Sequence, residues 1–118
     1  MNLNNLKVSV VIPSFNGEKL LKKNLPYLLR AMGNLSNFIK EIIVVDDGSS
    51  DNSVDLIKNK FPQVKLVRHK INRGFSASVN LGVKIAKGDL VCLINNDVIP
   101  ENNFLANTLG HFEKEDTF

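Results

Sequence analysis

The stretch Ile42-Ile43-Val44-Val45-Asp46-Asp47-Gly48-Ser49 is the most informative about the fold, because four β-branched residues are followed directly by two carboxylates and a turn. A short apolar run without alternation is typical of a strand covered on both faces, as in parallel sheets. Similar runs occupy positions 8–12, 64–67 and 90–94. The sequence therefore predicts four buried strands, with the second at 42–45.

Longer amphipathic stretches separate these strands and predict helices. Apolar residues recur at helical spacing within 21–32, 54–61, 75–86 and 104–112. Pro26 lies inside the first stretch and predicts a kink or a late restart of that helix. Strands that alternate with helices predict an α/β fold: a Rossmann-like, doubly wound, mainly parallel four-stranded sheet with helices on both faces.

Length and composition fit one domain, which we take as residues 1–118. The chain is 43% hydrophobic and 23% charged, which excludes disordered and fibrous classes. No apolar run approaches the roughly 18 residues of a membrane span. Positions 1–7 lack a secretory signal and Cys92 is the single cysteine, so we expect a cytoplasmic protein without disulfides. Peripheral association with the inner face of the cell membrane stays open.

Charge gives little information about partners. Fifteen basic and twelve acidic residues leave a net charge of +3, and the basic residues are scattered Lys with few Arg. A nucleic-acid-binding domain usually concentrates Arg and Lys on one face. We therefore expect no nucleic-acid partner.

Polar clusters follow each predicted strand, at 13–17, 46–51, 68–74 and 95–100. In doubly wound sheets, ligands bind beyond the carboxyl ends of the strands. Turn and helix-cap chemistry is the favoured explanation for Ser49, Ser50 and Asp51. It explains Asp47 less well, because a carboxylate at a strand end also suits the N–H edge of a nucleobase or a ribose hydroxyl.

Two further clusters have both a binding and a structural explanation. Asp97, beside Asn95 and Asn96, offers oxygen ligands to a divalent cation if a diphosphate supplies the others, or belongs to a polar turn before a helix. Gly74 with Arg73 suits a phosphate at a helix start, or merely permits a turn.

Other sites are excluded or not expected. The chain contains neither G-x-G-x-x-G after the first strand nor the P-loop motif. His69 and His111 have no ligand-spaced partners, so we expect both to be solvated. Cys92 lies in a predicted buried strand and is expected to be an inert core thiol.

The strand-end motifs, taken in order from about Lys7 to Pro100, resemble family 2 glycosyltransferases of the GT-A fold. The rhamnosyltransferase-like branch, which builds cell-surface polysaccharides, is the most similar. The motifs are Val10-Val11-Ile12-Pro13-Ser14-Phe15-Asn16, Val44-Val45-Asp46-Asp47-Gly48-Ser49-Ser50-Asp51, Asn72-Arg73-Gly74-Phe75-Ser76, Asn80-Leu81-Gly82, Ala86-Lys87-Gly88-Asp89 and Asn95-Asn96-Asp97.

The resemblance implies inverting transfer of a sugar from a UDP-, dTDP- or GDP-type nucleotide sugar to a hydroxyl of a glycan or lipid-linked acceptor. Asp97 matches the last residue of the family's D-x-D motif and would hold Mg²⁺ or Mn²⁺ with the sugar diphosphate. The implied donor-binding residues are Pro13, Ser14 and Phe15 around the base, Asp47 as its hydrogen-bond acceptor beside Asp46, and Arg73, Gly74, Asn95 and Asn96 near the donor.

Two departures from the family pattern qualify these expectations. Asn95 stands where the first D-x-D residue is expected, which weakens the metal prediction without removing it. The family's catalytic base lies well beyond the metal motif, so we expect it after Phe118 and predict a donor-binding portion with little transfer activity alone.

A non-catalytic nucleotide- or partner-binding module is the alternative. A sugar-1-phosphate nucleotidyltransferase is a weaker third, because positions 13–17 lack its Gly-rich basic loop.

Overall fold

The computed structural model of the chain describes residues 6–98, 101, 103 and 105. A 3₁₀ turn, Leu35–Asn37, joins the first helix to the second strand. The helix predicted at 104–112 lies outside the described residues except at Leu105, which is helical and buried. The elements in chain order are β1 (Val8–Ser14), α1 (Glu18–Gly33), β2 (Ile39–Asp47), α2 (Ser53–Lys60), β3 (Lys65–His69), α3 (Phe75–Ile85) and β4 (Leu90–Leu93).

The four strands form one parallel sheet in the order β3-β2-β1-β4. Alternate residues of β1 and β2 point to opposite faces of the sheet, so each strand serves two apolar layers. One layer packs Val10 and Val44 against α1 and α2, and the other packs Val11 and Val45 against α3. The doubly wound sheet with helices on both faces is thereby confirmed.

The boundaries of the first two strands differ from the prediction. β1 and β2 remain paired through Ser14 and Asp46, so the polar residues belong to the strand ends. The reason is that parallel pairing depends on backbone groups, which continue past the last apolar side chain. Asp46 and Asp47 therefore point to opposite faces of the sheet.

The late restart of the helix at Pro26 is wrong, since α1 is one helix from Glu18 to Gly33. The kink, the other outcome allowed at Pro26, stays a prediction. Pro26 cannot donate to the carbonyl of Lys22 four residues earlier. Both residues are exposed, so water can solvate that carbonyl. Among the described residues, no helix is long and apolar enough to cross a membrane.

Gly82 lets α3 lie close to the sheet, and Gly82→Ala should destabilise the chain. A Cβ at this position would overlap Val11 Cγ1 and lie 3.2 Å from Val45 Cγ2. Overpacking of a core costs about 1–3 kcal/mol, so we expect the free energy of unfolding in urea to fall by about 2 kcal/mol. Gly33→Ala is the matched control, because a Cβ there meets nothing within 4 Å. Equal stability of the two variants would contradict this packing.

Candidate functional site

An open cleft of about 170 Å³ lies at the carboxyl edge of the sheet. The end of β1, the end of β2, the β3–α3 loop and the first turns of α3 contribute to it. Its lining includes five residues predicted from sequence to bind a ligand: Pro13, Ser14, Phe15, Asp47 and Gly74. Asn72, Phe75 and Ser78 complete it. The structure thus brings together residues that lie up to 65 positions apart in the chain.

The carboxylate of Asp47 organises one wall of this cleft. Its Oδ1 accepts a hydrogen bond from the backbone N–H of Arg73 at 2.9 Å, and its Oδ2 accepts one from Gly74 at 2.8 Å. Gly74 has a φ of +99°, which favours glycine and turns the loop toward the carboxylate. Burial raises the pKa of Asp47, but the bonds from Arg73, His69 and Gly74 outweigh it and the pKa lies below its usual value. Asp47 is therefore an anion that anchors the β3–α3 loop.

His69 is not solvated as the sequence suggested. It ends β3, is paired with Asp47 in the parallel register, and places Nδ1 2.8 Å from Asp47 Oδ1. Its side chain is only 14% exposed. At this distance Nδ1 must carry the hydrogen, because a carboxylate only accepts. The interaction was missed because strand register, which brings the two side chains together, cannot be read from spacing along the chain.

Asp46 lies on the opposite face of β2 and does not line the cleft. Its carboxylate is fully buried and accepts hydrogen bonds from Ser49 N–H at 3.1 Å and Ser49 Oγ at 2.6 Å. Arg68 Nε lies 3.6 Å from it. This geometry closes the turn after β2, and a direct contact of Asp46 with a ligand stays a prediction.

The loops that follow β1 and β2 are joined by side chains. Asn16 Oδ1 accepts from Ser50 N–H at 2.8 Å, while Asn16 N–H donates to Ser49 Oγ. Asp51 accepts from the N–H groups of Ser53 and Glu18, the first residues of α2 and α1. The helix-cap explanation for Asp51 is confirmed, and these bonds hold the cleft's rim in place.

The loop after β4 is attached to the same wall. Asn96 Nδ2 donates to Ser14 Oγ at 3.1 Å, and Asn24 Nδ2 of α1 donates to the Asn96 carbonyl at 2.8 Å. A Cβ at Gly17 would overlap Asn96 Nδ2, so glycine permits this close approach. Asp97 follows directly and is exposed. The Asn96 bond thus attaches the loop that carries Asp97 to Ser14, which lines the same cleft as Asp47.

The matching family model is that of glycosyl transferase family 2, over residues 9–118. The chain belongs to glycosyltransferase family 2. It is 34% identical over 94 residues to a dolichyl-phosphate beta-glucosyltransferase, ALG5C, of Trichomonas vaginalis, a match that covers 74% of this chain and 28% of the relative.

Two solved structures share the fold. TarS 1-349 of S. aureus in complex with UDP-GlcNAc superposes with a TM-score of 0.80 at 23% identity, over 94% of this chain and 32% of that one. The mannosyltransferase PcManGT of Pyrobaculum calidifontis, in complex with GDP-Man and Mn²⁺, gives 0.76 at 24% identity, over 88% and 31%. The chain therefore spans about a third of the length of the proteins it matches.

The residues after β4 suit a divalent cation only in part. Within the described residues the Asp97 carboxylate makes no hydrogen bond or ion pair, so its oxygens are available. The same residues contain no group of three acidic, His or Cys side chains that could hold a metal ion. One carboxylate with the amide oxygens of Asn95 and Asn96 fits Mg²⁺ or Mn²⁺ when diphosphate oxygens complete the set. Such a cation would neutralise charge on the diphosphate.

Proposed function

We propose that this chain forms the nucleotide-sugar-binding portion of a family 2 glycosyltransferase, which transfers a sugar from a nucleotide-diphosphate donor to an acceptor hydroxyl with inversion. The observation that carries the proposal is the cleft itself. It sets an exposed aromatic side chain, Phe15, beside a buried carboxylate acceptor, Asp47, at the carboxyl edge of a parallel sheet. That edge is where such folds bind nucleotides.

In this proposal the base enters the cleft between Pro13, Ser14 and Phe15. Phe15 is 51% exposed, and a base stacked on its ring would cover apolar surface that now faces water. Asp47 accepts a hydrogen bond from the base. Its pKa lies below the usual value, so Asp47 is ionised at neutral pH and both of its oxygens act as acceptors.

The diphosphate would then lie between the start of α3 and the loop after β4. The N–H groups of Arg73 and Gly74 are already bonded to Asp47, so those of Phe75 and the next residues supply the helix N-terminus. The Arg73 side chain is exposed and adds positive charge. Asp97 holds the cation, and the negative charge that gathers on a departing diphosphate is stabilised from both sides.

The remaining details are proposals of the same kind. A catalytic base beyond Phe118 activates the acceptor hydroxyl. The Asn95-Asn96-Asp97 motif suggests the rhamnosyltransferase-like branch and a role in cell-surface polysaccharide synthesis. The glycan or lipid-linked acceptor and the cytoplasmic location, at or near the membrane face, are predictions from the sequence.

Calorimetric titration of the chain with nucleoside diphosphates tests the proposal. We expect at least one of UDP, dTDP and GDP to bind, with affinity about tenfold or more higher in Mn²⁺ than in EDTA. ATP in the same buffers controls for nonspecific attraction of polyphosphate to a chain of net charge +3. No binding of any diphosphate, or equal binding of ATP, would contradict the function.

A further inference from the structure

The loop that carries Asp97 leaves the sheet without a strand partner. β4 ends at Leu93, and positions 95–98 are not paired with any strand. Within the described residues, these positions make two hydrogen bonds to other elements of the fold, and both involve Asn96. The direction in which the chain presents Asp97 therefore depends on how Asn96 is held.

Asn24 of α1 restrains Asp97 through the peptide bond that precedes it. Asn24 Nδ2 donates to the Asn96 carbonyl at 2.8 Å. That carbonyl and the Cα of Asp97 belong to one planar peptide unit, so a bond that holds the oxygen also restricts where the Cα lies. The second bond, from Asn96 Nδ2 to Ser14 Oγ at 3.1 Å, holds the side chain of Asn96 against the cleft wall. Asn24 thus acts on the backbone at Asp97 and not on its carboxylate.

Asn24 is an unfavourable residue for its place in the fold. It lies on the buried face of α1 with Leu21, Leu25 and Leu28, and it is only 6% exposed. Its Oδ1 is buried and has no hydrogen-bond partner among the described residues, which lowers stability. The cavity beside it has a volume of about 10 Å³, room for one water at most and for no larger ligand. Packing alone would favour an apolar side chain here, so the bond to Asn96 is what asparagine contributes.

We propose that Asn24 is a positioning residue for the cation site, because its bond to Asn96 holds the backbone where the Asp97 carboxylate can share a divalent cation with the donor diphosphate. This inference rests on the proposed function. α1 packs on the face of the sheet opposite α3, so Asn24 holds the loop from behind and does not line the cleft. Removal of a group that orients a metal ligand costs about 10–100-fold in metal affinity. A change at Asn24 should therefore alter the cation dependence of binding and leave the contacts of the base intact.

Two substitutions at Asn24 separate this role from a contribution to stability. Asn24→Leu removes the bond to Asn96 together with the unpartnered Oδ1, so we expect the melting temperature without ligand to stay close to that of the unchanged chain. Asn24→Ala removes the same bond and leaves a cavity, so we expect the melting temperature to fall. In both variants the Mn²⁺ concentration that produces half of the gain in diphosphate affinity should rise about tenfold. The affinity in EDTA should not change, since the cleft lining is intact.

Calorimetry with the tightest-binding of UDP, dTDP and GDP, repeated over a series of Mn²⁺ concentrations, measures the effect on the intact chain. Ile57→Val is the matched control for lost stability, because Ile57 is buried in the same apolar layer and lies outside the cavity beside Asn24. An unchanged Mn²⁺ requirement in either Asn24 variant, or an equal rise in Ile57→Val, would overturn the inference and leave the proposed function standing. Equal affinity with and without Mn²⁺ in the unchanged chain would overturn the inference together with the cation site. Failure of every diphosphate to bind would instead overturn the proposed function.

Discussion

Asp47→Asn is expected to weaken nucleotide binding by about 100-fold and to lower the free energy of unfolding by about 2–4 kcal/mol. The carboxylate accepts two backbone N–H groups and faces His69 Nδ1. An amide retains one oxygen and places an NH₂ against a donor, so a buried N–H loses its partner. Hydrogen bonds to charged groups contribute about 1.5–3 kcal/mol each. The loss of base recognition and of loop position then adds to roughly 3 kcal/mol, or 100-fold in affinity.

Calorimetry with the tightest-binding diphosphate measures the first effect and urea denaturation the second. Asp55→Asn provides the control for loss of one negative charge, because Asp55 is exposed on α2 and lies outside the cleft lining. If Asp47→Asn lost stability but kept its affinity at ligand concentrations where the variant is folded, Asp47 would be a structural residue only.

His69→Gln helps to distinguish the ligand-binding role of Asp47 from its structural role, since it leaves the backbone bonds from Arg73 and Gly74 in place. The Oδ1 atom then loses its His69 partner, while Oδ2 keeps its bond from the Gly74 N–H. Base recognition through Oδ2 therefore predicts a smaller loss of affinity than in Asp47→Asn.

The apolar runs were sufficient to locate the four strands, but burial on both faces was predicted correctly only for β1 and β2. The strands β3 and β4 lie at the edges of the sheet and are partly exposed. Val8 to Ile12 and Ile42 to Val45 are almost continuously apolar, and each lies within an observed strand. Strand ends were less predictable, because backbone pairing extends through Pro13 and Ser14 of β1 and through Asp46 and Asp47 of β2. The convergence of the strand-end clusters followed from topology alone.

Contacts across the sheet could not be predicted from sequence. The pairing of Asp47 with His69 depends on the register of β2 against β3. The different environments of Asp46 and Asp47 also depend on the register of β2, since a one-residue change would exchange their faces. Asn24 carried no signal at all, because an asparagine on a helix is ordinary until its burial and its bond to Asn96 are known.

Asp97→Ala is expected to abolish most of the Mn²⁺-dependent gain in diphosphate affinity, so that the ratio of affinities with and without Mn²⁺ falls from tenfold or more to about twofold or less. Loss of a supporting contact to a metal ligand typically costs 10–100-fold in metal affinity, and loss of the ligand itself should reach the upper end of that range. In EDTA the affinity should match that of the unchanged chain, because Asp47 and the aromatic rings still hold the base. Stability should not change, since the Asp97 side chain is exposed and makes no bond within the described residues.

The diagnostic quantity is the ratio of affinities with and without Mn²⁺, measured by calorimetry for Asp97→Ala and for the matched Asp55→Asn. Asn95→Asp should move that ratio in the opposite direction, because a second carboxylate two residues from Asp97 adds a charged oxygen ligand. A ratio that stayed unchanged in Asp97→Ala would remove this residue from the cation site. Asn96 bonds Ser14 in the cleft wall, so the proposed base and cation sites share a loop. A structural fault in that loop would lower the affinity in EDTA as well.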